Sequence, residues 1–381
     1  MRILYFTDTY YPTPDGVSVY LKEVKQKLED EGHEVMIFSV TGDSREHNVY
    51  VPKYTAPFLP YPQYRVPVSF IPFRVFRRAL EFNPDIVHLH NAFYMSSVGY
   101  LVARRIGVPP VATFHTDVSR MKESINMPFK NLAFDLGERY SLFLYRKCRM
   151  VMAPSATVEE YLKIRGVKNV VTLPLFVDTD KYRYVPADSG ERYILYLGRI
   201  TVDKGIYRVL DLAEAMKSED VRFKIAGVGP ELDRIRRIVK YHGMKNVEIL
   251  GYVDDQRKMD LMANASLFVY PSSADTFGIS VFEALASGVP VMVSEDFPVK
   301  ENTEAISYVK FGDIRSAVET AERILHEDRR KLAAEARHLV ESKYSLERHI
   351  SSLLEIYDYI RAERRKMGSS EKMRADNSAY R

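Results

Sequence analysis

Two α/β domains built on parallel sheets are expected from this sequence, for three reasons. The chain has 381 residues, more than one small core organises. Short apolar, β-branched runs alternate with amphipathic helical stretches along both halves, the rhythm of βα units whose strands pair in parallel. The third reason is the stretch 270–293, YPSSADTFGISVFEALASGVPVMV, which holds the whole pattern in miniature. SLFVYPS, ending at 272, reads as a buried strand closed by a Pro-Ser turn. GISVFEALASG reads as a helix with Phe282, Leu285 and Ala286 on its buried face and Gly288 as its stop, and VPVMVS starts the next strand.

Composition narrows the class. Cys148 is the only cysteine, so no intramolecular disulfide can form and a zinc site built on several thiolates is excluded. A formal net charge of +4 is too small to argue for nucleic acid, and none is expected as a partner. No apolar run is long enough to cross a bilayer. The chain opens on MRILYFTD, strand-like from the start, so a cytoplasmic protein is expected.

RILYFTD is the first strand, followed by a loop rich in Pro, Asp and Gly over Thr9 to Ser18. The next helix carries Val17, Leu21, Val24 and Leu28 on one face and ends near Gly32. Gly16 at its start admits a phosphate close to the backbone, although a turn glycine is the commoner explanation of such a residue. HEVMIFSV is the second strand. The prolines of Val51 to Pro72 forbid a regular helix or central strand, so a long loop is expected, either part of an acceptor site or a surface connection packed by its own tyrosines. A helix, FRVFRRALEFN, and a strand, DIVHLHN, follow; His88 and His90 alternate with apolar residues there and read as hydrogen-bonded structural histidines. After the helix FYMSSVGYLVARRIG, the strand PPVATFHTD ends on His115, Thr116 and Asp117, a polar cluster where open sheets bind ligands.

Residues 120–149 read as one or two helices with seven basic residues against three acidic ones, interleaved with Met127, Phe129, Leu132, Phe134, Leu142, Phe143 and Leu144. That composition, with the basic helix at 73–80, suits peripheral attachment to an anionic membrane; a core helix with a solvated basic face gives the same pattern. Strand, helix and strand complete the N-terminal domain at about residue 175. The turn-rich segment 176–192 is the expected hinge, and a second α/β domain spans 193–344. Its first loop is flanked by Arg199 and Lys204, two cations at one strand end, as a diphosphate leaving group requires. Asp275 lies in the loop of the 270–293 stretch and Glu283 two turns into its helix. The unsatisfied N–H groups around Phe277, Gly278 and Ile279 suit a phosphate, and the Glu283 carboxylate suits vicinal hydroxyls such as those of a ribose. Leu346, Ile350, Leu353, Tyr357 and Ile360 mark a last amphipathic helix over 345–366, and 367–381 lacks a periodic apolar face and is expected to be disordered.

D-T-F-G-I-S-V-F-E-A-L-A-S-G-V-P-V resembles the E-x7-E signature of retaining GT-B glycosyltransferases, in the large group 1 (GT4-type) family that includes lipid glucosyl- and mannosyltransferases. The resemblance reaches to about Arg365. It departs at Asp275, where that family usually has Glu. FTDTYYPTPDGVSVYL resembles the opening of the diacylglycerol-type members, whose glycine loop faces the donor diphosphate, and G-R-x4-K-G resembles the family's diphosphate-binding pair. The resemblance implies a GT-B fold, two Rossmann-like domains with a cleft between them and a last helix returning to the N-terminal, acceptor-binding domain. It implies transfer of a sugar with retention from a nucleotide-diphosphate sugar, with no separate cofactor and no metal; Asp178-Thr179-Asp180 resembles a linker element, not a metal-binding D-x-D. His115 and Asp275 would hold the sugar, Arg199 and Lys204 the diphosphate, Glu283 the ribose, and Gly229 and Tyr252 would lie near the nucleotide, the latter through its backbone.

Three functions follow as expectations. One is a peripheral enzyme on the cytoplasmic membrane face moving a sugar, first glucose from a UDP-sugar, to a lipid such as diacylglycerol. Another is the same transfer to a soluble sugar, sugar phosphate or polysaccharide. The last is a catalytically silent nucleotide-sugar-binding protein, to which only Asp275 points.

Overall fold

The computed structural model describes residues 1–13, 15–52, 55–58, 61–67, 72–115, 130–182, 184, 192–272 and 275–379. The chain divides into two compact units, 1–173 with 350–381, and 174–349. Unit 1 opens with β1 (Arg2–Thr7), α1 (Gly16–Asp30), β2 (Glu34–Ser39) and β3 (Val49–Tyr50). β4 (Thr55–Phe58) and β5 (Tyr61–Pro67) follow, then α2 (Pro72–Phe82), β6 (Ile86–His90), α3 (Tyr94–Ile106) and β7 (Pro110–Thr113). α4 (Lys130–Tyr145), β8 (Met150–Ala153), α5 (Ala156–Ile164) and β9 (Val170–Thr172) complete it. Seven strands form one sheet in the order β3-β2-β1-β6-β7-β8-β9, every described pair parallel.

β4 and β5 pair antiparallel in a separate ribbon. This corrects the loop expected over Val51 to Pro72. In a two-stranded ribbon each strand is an edge, so prolines at 57, 62 and 67 break no inner ladder.

Unit 2 repeats the arrangement: β10 (Tyr193–Leu197), α6 (Ile206–Ala215), β11 (Arg222–Ala226), α7 (Leu232–Tyr241), β12 (Val247–Gly251) and α8 (Asp255–Asn264). β13 (Leu267–Tyr270), α9 (Ile279–Ala286), β14 (Val291–Ser294), β15 (Ile306–Val309), α10 (Ile314–His326) and α11 (Arg329–Lys343) follow. Its six strands run β12-β11-β10-β13-β14-β15, all parallel. Alternate side chains of β10 enter two cores, as the pleat requires. Tyr193 and Leu195 pack with Phe268, Phe282 and Tyr344, while Ile194 and Tyr196 pack with Ile225, Val269 and Leu210. In both units the chain first builds outward on one side of its opening strand and then returns to the other. The reversals fall between β1 and β6 and between β10 and β13, and such points open a crevice at the strand ends.

The last helix, α12, runs Leu346–Ala379. Ile350, Leu353, Tyr357 and Ile360 are buried, the stripe expected from the sequence, and residues from 350 onward are part of unit 1. The helical backbone also takes in 367–379, where the sequence reading expects disorder. Glu371, Lys372, Met373, Arg374 and Ala375 are strong helix formers, and lengthening an existing helix needs no new nucleus. The two segments at the unit boundary are tied together within unit 2. Val177 N–H donates to the Tyr344 carbonyl at 2.8 Å, and His349 Nδ1 donates to the Pro174 carbonyl at 2.7 Å. Residues 183 and 185–191 of the expected hinge lie outside the described residues.

Candidate active site

The reversal point of unit 2 gathers the loops after β10 and β13. Gly205, at φ +73°, starts α6 where a Cβ would sit 2.6 Å from the Pro271 carbonyl oxygen, so only glycine lets the two loops meet. That approach brings Lys204 onto Asp275, Nζ to Oδ1 at 2.5 Å. Tyr270 donates its hydroxyl to Asp275 Oδ2 at 2.6 Å, and Lys204 reaches the Tyr270 oxygen at 3.5 Å. Lys204 is buried and Asp275 nearly so. Burial alone would push the Asp275 carboxyl up, but the Lys204 charge and hydrogen bonds from Lys204, Tyr270 and Ser272 outweigh it and hold the group below its usual range. Burial, then the Asp275 carboxylate, push the Tyr270 phenol well above its ordinary value, so it remains a donor.

Two helix starts meet here, α6 after Gly205 and α9 after Gly278, and neither has a side-chain cap. α1, α5, α8, α10 and α11 are each capped by the side chain of Asp15, Ser155, Asp254, Asp313 or Asp328, whereas α3 and α7 also start without one. The uncapped N–H groups and the positive ends of both helix dipoles are thus left for an anion. Gly278, at φ +86°, is required twice over, since a Cβ would also fall 2.6 Å from the Phe297 ring.

The other expected residues separate by kind. Glu283 accepts from Lys258 Nζ at 2.9 Å and from the Tyr182 hydroxyl, apart from the Lys204 cluster. Arg199 is mostly exposed, its guanidinium 3.9 Å from Asp203. Phe277 is buried and stacks on Phe282 at 4.5 Å, so its side chain is core and only its backbone is free to serve a ligand. Ile279 is half-buried at the first position of α9. A Cβ on Gly229 would lie 2.4 Å from the Ile200 carbonyl oxygen, a packing reason for that glycine. Tyr252 is exposed. Asp178 is engaged in its own turn and with Lys181 at 3.2 Å, which does not favour a metal-binding D-x-D.

In unit 1, Gly16 is the first residue of α1, and a Cβ added there would meet nothing within 4 Å, so neither packing nor its φ demands glycine. His115 Nε2 lies 3.1 Å from His90 Nδ1. Thr116, Asp117 and 120–129 lie outside the described residues. Sequence reasoning missed Tyr270, Tyr182 and Lys258, none of which carries a local signal for its partner. It also missed Asp8, at the end of β1. Burial pushes this carboxyl up to about 7 although Oδ1 accepts from the Met95 N–H, and Oδ2 has no hydrogen-bond partner among the described residues.

A family model described as Glycosyltransferase Family 4 matches residues 14–181, and one described as Glycosyl transferases group 1 matches residues 178–339. The chain belongs to this glycosyltransferase family. Among its relatives, the glycosyltransferase is 27% identical over 329 residues to the alpha-monoglucosyldiacylglycerol synthase of Streptococcus pneumoniae, covering 77% of this chain and 70% of that one. It is 27% identical over 312 residues to the GDP-mannose-dependent alpha-mannosyltransferase of Mycobacterium tuberculosis, covering 77% and 79%. Among solved structures it is similar to Anabaena HepE in complex with UDP, at a TM-score of 0.72 and 16% identity over 94% of this chain and 100% of that one. Sucrose-phosphate synthase from Thermosynechococcus elongatus superposes at a TM-score of 0.71 and 17% identity, over 95% and 100%. The fold of the glycosyltransferase is GT-B, with two Rossmann-like parallel-sheet domains.

Proposed function

We propose that this glycosyltransferase moves a hexose, with retention and without a metal, from a UDP-sugar to a lipid acceptor of the diacylglycerol kind at the cytoplasmic face of a membrane. One observation carries the lipid acceptor. Leu132, Leu136, Tyr140 and Phe143 of α4 are all exposed, Leu132 by 61%, while Ser141, Leu142, Leu144 and Tyr145 face the core. Spacings of four, four and three residues put the exposed set on one helix face, an apolar stripe toward water on a helix whose buried positions are confined to its last turn, 141–145. Exposed Phe73 and Leu80, among Arg74, Arg77 and Arg78 of α2, extend this character. Among the described residues no helix is long and apolar enough to cross a membrane, so the reading is of peripheral contact. Relatives named as alpha-monoglucosyldiacylglycerol synthases, from S. pneumoniae and Acholeplasma laidlawii, support the same acceptor.

The chemistry follows from the groups available. The bond from the anomeric carbon to the diphosphate oxygen breaks, and charge grows on the leaving group. Lys204, Arg199 and the uncapped starts of α6 and α9 stabilise that charge, and Gly16 is a further donor-binding residue. Lys204 then exchanges Asp275 for phosphate, which frees the Asp275 carboxylate to accept from a sugar hydroxyl alongside His115. Glu283 takes the ribose hydroxyls. The acceptor oxygen bonds the anomeric carbon on the face the diphosphate leaves, and its proton passes to the departing phosphate oxygen, so no protein base is needed. The GDP-mannose-dependent relatives favour a second reading in which the donor is GDP-mannose.

The test is mass spectrometry of products after incubation with a panel of UDP- and GDP-sugars and a mixed lipid extract. A new glycolipid with one UDP-sugar supports the reading. A glycolipid formed only from a GDP-sugar replaces the donor, and transfer only to soluble sugars or sugar phosphates removes the lipid.

A further inference from the structure

Beneath the sheet end where His115 sits, unit 1 buries a run of polar rings that the proposed chemistry does not use. His88, His90, Tyr5 and Tyr357 are all fully buried. Tyr357, on α12, shares hydrogen bonds with Tyr5 at 3.1 Å and with His88 Nδ1 at 2.6 Å. His88 Nε2 bonds the Thr113 hydroxyl at 2.7 Å, and the His88 ring packs against His90 with centroids 4.0 Å apart. Tyr5 meets His90 edge-on at 4.6 Å. Both nitrogens of His88 are thereby occupied, and His90 is gripped by two rings whose own orientations are fixed. The outermost link is the contact from His90 Nδ1 to His115 Nε2 at 3.1 Å. A hydrophobic core of the same volume would avoid the desolvation these groups cost, so the network calls for a role beyond stability.

We infer that His90 is a positioning residue, which sets the tautomer and ring orientation of His115 and is itself held by His88 and by Tyr357 of the terminal helix. Between two neutral imidazoles at hydrogen-bond distance one nitrogen donates and the other accepts. When His90 donates from Nδ1, the Nε2 of His115 is the acceptor and its proton is on Nδ1, ready to donate to a sugar hydroxyl. When His90 accepts, Nδ1 of His115 is bare and accepts a hydrogen bond from a hydroxyl instead. The partner nitrogen, not the sugar, decides which hydroxyl orientation is bound. This inference rests on the sugar-contact role proposed for His115.

The experiment is a double-mutant cycle read in turnover, with ¹⁵N imidazole shifts as an arm that needs no substrate. His90→Phe keeps the ring and its packing and deletes the hydrogen bond; His90→Asn keeps a polar group near the Nδ1 position. His90→Phe is expected to lower kcat/KM by about 10- to 100-fold, the scale of a reacting group misplaced by an ångström, with His90→Asn recovering part of the loss. In a His115→Ala background the same change should cost nothing more. His115 ¹⁵N shifts should move in His90→Phe, and in the same direction, by less, in Tyr357→Phe, a variant that spares the fold if His90→Phe does not. An equal loss in both backgrounds, or unmoved His115 shifts, overturns the inference. An unaffected His115→Ala single mutant overturns it together with the sugar-contact role, whereas failure of the His90 effect alone leaves that role standing.

Discussion

At the scale of single residues, the site is a set of carboxylates whose partners differ, and those partners govern what each mutation does. Lys204 and Asp275 form a nearly buried pair. Removing Lys204 alone leaves a desolvated carboxylate without its counter-charge, at a cost of roughly 3–5 kcal/mol. Lys204→Ala should therefore lose both donor use and stability, and adding Asp275→Asn should restore most of the stability and none of the activity. Urea midpoints and turnover of the two variants beside the parent chain check this; a double mutant no more stable than Lys204→Ala would show the pair to be uncoupled. Gly16 poses the opposite case. Because a Cβ there meets nothing, Gly16→Ala should leave the melting temperature within a degree or two and still reduce donor use by an order of magnitude or more, about what one misfitted contact costs. Normal turnover in Gly16→Ala would remove the glycine loop from the donor site. Much of this chemistry is legible in sequence, since Lys204, Asp275, Gly278 and Glu283 lie in short motifs whose loop-to-helix context reads directly from the chain. Tyr182, Lys258 and His90 are not legible in that way. Their partners lie 101, 25 and 25 residues distant, and only the folded sheet brings them together.

At the scale of elements, α4 and the boundary segments respond to solvent in ways that can be measured. Replacing Leu132, Leu136 and Phe143 of the exposed stripe by Ser should leave folding intact, since the buried face of α4 is untouched. Co-sedimentation with vesicles rich in anionic lipid should fall strongly. Sedimentation equal to that of the unmodified chain would discard α4 as the contact. At the boundary, burial holds His349 down to about 4, opposed in part by the Pro174 carbonyl it bonds. An unfolded chain binds that proton near pH 6.5, so between roughly pH 6.5 and 4 the unfolded state carries more protons. Stability is full above that window and is lost as pH falls through it, by about 2 kcal/mol at pH 5. His349→Gln should flatten this part of the urea-midpoint profile between pH 7.5 and 5; an unchanged slope would assign the acid sensitivity to other groups. Element types read well from the alternating apolar pattern, because both sheets are buried on two faces and their strands are short apolar runs. The ribbon of β4 and β5 does not, because its prolines look like loop residues until two edges are seen to pair.

At the scale of the whole molecule, unit 2 is an insertion within unit 1, which starts at Met1 and finishes with residues 350–381. A chain ending at His349 should keep unit 2 resistant to protease, whereas unit 1, stripped of the Ile350, Leu353, Tyr357 and Ile360 stripe, should be cut rapidly within its own sheet. Mass mapping of limited digests decides it, and equal protection of both units would make the last helix an accessory. The same connectivity bears on biosynthesis. Tyr5 bonds Tyr357 across 352 positions of sequence, so while the chain emerges from the ribosome β1 waits for a helix made only after the whole of unit 2. Unit 2 can close while its neighbour is still missing an element, and Tyr5 and His88 lack that partner until unit 2 has been made. Maturation of unit 1 therefore follows synthesis of unit 2.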